Sequence, residues 1–219
     1  MVALDSGLDT KPILNVKVPL AGIVAAMAAL VGLTAMAMHG FDDRGLRLAS
    51  ELNWRFASFV FFAAAIVGPV CRMLPLAICK QSAALRRQTI WAFCASYGVF
   101  LAMTLLPNTL GGVMHTDLTA GMTVFSIFGG FIVAVLVYAT GRDAAALVGE
   151  PARQALLTVA GGFFWLTYAL TGLAHLSGPH RPDAFYGISL SLMIFALLLR
   201  FADRFVAKLR DTGVAVSSR

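Results

Sequence analysis

Six apolar runs, separated by segments that hold almost all the charge, constrain this chain more than any other feature. They lie near 19–39, 54–71, 89–106, 121–140, 155–176 and 184–200. An α-helix needs about 20 apolar residues to cross the hydrocarbon of a bilayer. Within lipid each backbone N–H and C=O must find its partner inside the protein, which leaves helices as the natural spanning element. The expectation is an all-α fold: a six-helix transmembrane bundle over 19–200, an N-terminal segment 1–18 and a basic tail 201–219. Composition agrees. Hydrophobic residues make up 59% and charged ones 13%, against about a quarter charged in soluble domains.

Orientation follows from Lys and Arg. The N-terminus, the 72–88 and 141–154 loops and the tail together carry all of these residues except Arg44, Arg47, Arg55 and Arg181. The richer side is expected in the cytoplasm, with both termini there. The net charge of +6 is thus read as membrane topology, not as a nucleic-acid surface. Residues 1–18 carry Asp5, Asp9, Lys11 and Lys17 and do not read as a signal peptide; the run after them is long enough to span. Asp203 and Arg200 share a face of the last helix and are expected to pair, and the basic tail residues can touch anionic headgroups. The expected location is a bacterial inner (cytoplasmic) membrane, with membrane lipid as one partner.

Several functions are disfavoured. No Gly-x-Gly-x-x-Gly or Walker loop is present, so no nucleotide cofactor is expected. No ionisable residue sits in the middle of a run, which argues against a pump or ion-coupled transporter. Cys71, Cys79 and Cys94 form no Cys-x-x-Cys pair, and a disulfide framework is not expected.

The residues left to carry chemistry are few. His39, His115, His175 and His180 fall at or near the outer ends of runs, close to Asp42, Asp43, Asp117 and Asp183. Imidazoles and carboxylates ligate transition metals, and His39, His115 and His175 are the candidate metal set. Ordinary interfacial histidines are the plainer reading. Trp54 and Trp91 fit an interfacial aromatic belt. Trp165 lies mid-run beside Phe163, Phe164 and Tyr168, and its indole N–H should find a partner inside the bundle. Ser126, Gly130 and Ala134 repeat at four-residue spacing, with Gly129 adjacent, which predicts tight packing inside the bundle or, alternatively, a dimer seam.

Leu85-Arg-Arg-Gln-Thr-Ile-Trp-Ala-Phe-Cys-Ala-Ser-Tyr-Gly-Val-Phe-Leu101 resembles the third helix of ferric-reductase-like transmembrane domains, a family that binds haem for electron transfer. Arg86, Arg87, Ala92 and Phe93 match that pattern, whereas Thr89 and Ile90 depart from it. Asn53-Trp-Arg-Phe-Ala and Val67-Gly-Pro-Val-Cys-Arg-Met-Leu-Pro75 are similar to the family's second helix, and Gly149 to Gly172 to its fifth. The resemblance implies a haem b between helices, yet the ligand positions fall on Tyr97 or Phe100 and near Leu156, Leu157 and Thr158. Phe and Leu cannot ligate iron, and Tyr is an uncommon axial ligand. No ligand is therefore carried over.

Three readings follow. The first is a haem-free protein of this fold, acting as a binding or structural partner of another membrane or redox protein. The second is an electron-transfer protein with a non-standard b-type haem or metal at the outer histidines. The third is a small-molecule pocket lined by Tyr97, Phe100, Trp165 and Tyr168.

Overall fold

The computed structural model describes residues 20–73, 82–110, 117–141, 143–177 and 183–217. All regular structure among them is helical. In order the helices are α1 (Leu20–His39), α2 (Asp43–Met73), α3 (Ser82–Leu110), α4 (Asp117–Thr140), α5 (Ala144–Val148), α6 (Glu150–Ser177) and α7 (Ala184–Ser217). All except α5 are long and apolar enough to cross a membrane, six in total.

Helices α2, α3, α4, α6 and α7 pack in a closed ring, each against the next, and α1 lies outside against α2 and α3. The core inside the ring draws on all five: Phe61 from α2, Phe93 and Tyr97 from α3, Leu136 from α4, Phe164 and Tyr168 from α6, and Met193 from α7. A second apolar cluster, built on Ala35, Met36 and Ala49, seals α1 to α2.

Helix bounds differ from the apolar runs in an instructive way. α2 starts at Asp43, eleven residues before the expected 54. Gly40, at φ 96°, ends α1, and Asp42 Oδ1 accepts the Gly45 N–H at 3.0 Å, capping α2. An Arg55–Glu51 pair one turn apart then supports the polar stretch. Hydropathy marks the lipid-immersed portion of a helix, whereas capping and pairing set where the helix begins. The same logic extends α6 back to Glu150 and α7 out to Ser217. Pro69 sits within α2, near its end.

Three sequence expectations are corrected. Trp54 is not at a helix end but eleven residues into α2, half-buried, with its ring 4.5 Å from Tyr168 and 5.2 Å from Phe100. Asp203 pairs not with Arg200 on its own helix but with Arg72 of α2. Cys71 is disulfide-bonded, while Cys94 is free and buried. The small-residue stripe of α4 packs inside the bundle over most of its length. Ser126 and Gly129 are buried, but Ala134 is exposed. The buried part serves packing within the bundle, as Gly129 faces Tyr97 and Gly130 faces Leu101 of α3.

Candidate functional site

Three places concentrate polar or aromatic chemistry: the ring's interior, the end holding His39 and His175, and the opposite, arginine-rich end.

Tyr97, Phe100 and Tyr168 lie in one core cluster, with Trp165 packed against it. Tyr97 and Phe100 share a face of α3, with rings 5.2 Å apart. Trp54 of α2 lies between Phe100 and Tyr168 of α6. Phe164 packs 5.1 Å from Tyr97 and 4.8 Å from Phe93. Trp165 packs against the same cluster from its edge, partly buried. One residue on from Phe164, its indole turns toward α7 and donates to the Met193 carbonyl at 3.0 Å, which is the internal partner its mid-helix position called for. Aromatic rings therefore fill the centre. Tyr97, Phe164 and Tyr168 are at most 2% exposed.

Two phenols end there without partners. The hydroxyls of Tyr97 and Tyr168 have no hydrogen bond. Among the described residues both phenols serve the packing of the aromatic centre. A third orphan is the Asn53 side-chain oxygen; its amide donates to the Ala49 carbonyl at 3.0 Å. Asn53 is fully buried where α2 meets α1, in the notch left by Gly32. Sequence reasoning passed over Asn53 because it stands one residue before the apolar run it belongs to structurally.

At the second place, Arg55 joins two helices. Its guanidinium pairs with Glu51 and, at 2.7 Å, with Asp183, and it lies over the Phe185 ring at 4.8 Å. Asp183 also caps α7, accepting the Phe185 N–H at 2.9 Å. That backbone hydrogen bond, then Arg55 and His175, hold its carboxyl below the usual range. His175 stacks on Tyr186 with centroids 3.9 Å apart. Its Nδ1 donates to the Thr171 carbonyl at 2.9 Å, since a carbonyl can only accept.

His39 and His175 sit at the ends of α1 and α6, as expected. His115 and His180 lie outside the described residues. Among the described residues no three His, Cys, Asp or Glu side chains gather as metal ligands. Two acids grouped with the histidines from sequence, Asp42 and Asp183, act as helix caps.

At the third place, Arg72 holds Asp203 through Nε at 2.8 and 3.0 Å and through a further contact from Nη2. Arg86, Arg200 and Arg204 lie within electrostatic reach of this pair. A groove of about 590 Å³ runs alongside, lined by Arg86, Arg87, Thr140, Glu150 and Arg153 among others. The sequence reading had taken Arg86, Arg87 and Arg153 as loop residues that mark topology. Their helical registers bring them together, and the Glu150-x-x-Arg153 spacing was the available signal.

No family model matches the chain, and no curated protein or solved structure does either; the described residues form an all-helical architecture with six helices long and apolar enough to cross a membrane.

Proposed function

We propose that this chain is a haem-free protein of ferric-reductase-like design that acts as a binding or structural partner of another membrane or redox protein. One observation carries the reading: the ring's interior is packed with aromatic side chains. Tyr97 and Phe100 stand where the resemblance expects an axial ligand, and both are buried in ring–ring contact. Leu157, at the other expected position, packs against the same core. The residues present do not fit a haem. A porphyrin needs strong axial ligands and a slot between helices, and here Phe61, Phe93 and Phe164 occupy the centre. α6 is continuous from Glu150 to Ser177, so His175 lies about 27 Å along the axis from Leu157 and cannot substitute.

A second reading rests on His175. Its Nδ1 is held by a backbone carbonyl, as is common for metal-bound histidines. It keeps an outer haem or metal in play as the alternative.

The experiment is an absorption spectrum of the protein purified from cells given ample haem, together with cross-linking in native membranes. The proposal expects no Soret band and a discrete cross-linked partner. A band that survives replacement of all four histidines would overturn the account of the core. A band that disappears with His175→Ala alone would establish the second reading.

A further inference from the structure

The groove at the arginine-rich end has a charge balance that the packing of the bundle does not require. Its walls come from the first turns of α3, the end of α4, α5 and the first turns of α6. Three guanidiniums face one carboxylate. Glu150 is engaged by Arg153 at 2.7 and 2.6 Å and by Gln154 at 2.6 Å, which fixes the Arg153 fork. Arg86 and Arg87 meet no carboxylate among the described residues.

Arg86 is further loaded by like charge. Above Gly68, its stem and the Arg72 guanidinium both approach within 4 Å of the point where a Cβ would stand, at 3.8 and 3.9 Å. Arg153 and Arg200 also lie within its electrostatic reach. Asp203, the nearby acid, is already committed to Arg72. Arg72, Arg86, Arg87 and Arg200 are all exposed, so an anion from the surroundings can enter among them and relieve their mutual repulsion.

Depth and surroundings select the kind of anion. The groove lies where two membrane-crossing segments begin, at Ala84 and Glu150, and one ends, at Thr140. That is the level of lipid headgroups. Ile90 forms part of the wall one turn further into the bundle from Arg86. The short helix α5 alongside presents Leu147, 69% exposed, and Val148. Exposed apolar residues beside a cationic groove suit a molecule with a charged head and an apolar body. The planar guanidinium fork matches phosphate oxygens, and basic pockets between transmembrane helices recognise lipid phosphates.

We propose that the groove formed by Arg86, Arg87 and Arg153 between α3 and α6 is a binding site for the phosphate headgroup of an anionic phospholipid. Arg86 and Arg87 contact the phosphate, Arg153 is held ready by Glu150, and the glycerol backbone runs past Ile90 toward the acyl region. The site is independent of whether the core holds haem.

The test is native mass spectrometry of the full chain from detergent micelles doped with phosphatidylglycerol or phosphatidylcholine, with inorganic phosphate as soluble competitor. Wild type should retain phosphatidylglycerol in preference to phosphatidylcholine. The Arg86→Gln/Arg87→Gln variant should lose about tenfold of that retention, and Arg47→Gln, at the opposite end of the bundle, should lose none. Thermal unfolding run alongside separates lost binding from lost fold, and the single change Arg87→Gln carries the test should the double variant not fold. Equal retention of both lipids, or undiminished retention in the groove variants, overturns the site. Displacement of phosphatidylglycerol by millimolar phosphate overturns the lipid assignment in favour of a soluble anion.

Discussion

The phenol oxygen of Tyr97 lies 2.0 Å from the point where a Cβ on residue 129 would stand, so the hydroxyl occupies a notch that only a glycine leaves open. This contact sets how closely α4 approaches α3.

Gly129→Ala should therefore destabilise the bundle by about 1–3 kcal/mol, the usual cost of overpacking a filled interior. Tyr97 cannot swing aside, because Phe93, Phe100 and Phe164 surround its ring. Tyr97→Phe removes a buried hydroxyl that has no partner and should be neutral or mildly stabilising. Combined, the two changes should cost less than the sum of their separate effects. Denaturant unfolding in detergent micelles measures all three variants, and strict additivity would mean that the notch does not matter.

The bidentate Arg72–Asp203 contact ties the end of α2 to α7. Asp203→Ala should cost about 1 kcal/mol, kept modest by the solvent exposure of Arg72. Arg72→Lys should also be destabilising, since an ammonium lacks the planar fork. The readout is thermal unfolding; a Lys variant as stable as wild type would show that charge alone suffices.

Asp183 carries the pH dependence at the opposite end. Its carboxyl is held low by the Phe185 N–H, with Arg55 and His175 adding to the effect. A depressed folded-state value means the stabilisation is complete above the unfolded carboxylate value of about 3.9 and is lost as pH falls through the folded value. The stability gap between wild type and Asp183→Asn should hold from neutral pH to about 5 and close below about 4. A gap that widens on acidification would contradict the assignment.

The cysteines should separate by reactivity. Cys94 is buried and free, so maleimide should reach it only after unfolding. Cys71 is disulfide-bonded and should label only after reduction. Reducing cytosol opposes such a bond, so alkylation in intact cells also reports which side the Arg72 end of α2 faces. Labelling of Cys71 in the purified protein without reductant would remove the disulfide.

The apolar runs alone determined that the chain is helical, with six helices long and apolar enough to cross a membrane, because lipid leaves the backbone no other economical way to pair its polar groups. The faces of α3 were also legible, since Tyr97 and Phe100 are three residues apart and a helix must bring them to one side. The start of α2, the neighbour of Asp203 and the turn of Trp165 toward Met193 were not legible. Each depends on how helices distant in sequence rotate and approach, and hydropathy is blind to rotation about a helix axis. Arg86, Arg87, Glu150 and Arg153 show the same division. Their sequence positions fixed them near a membrane surface, while the packing of α3 beside α4 and of α4 beside α6 decided that they line one groove.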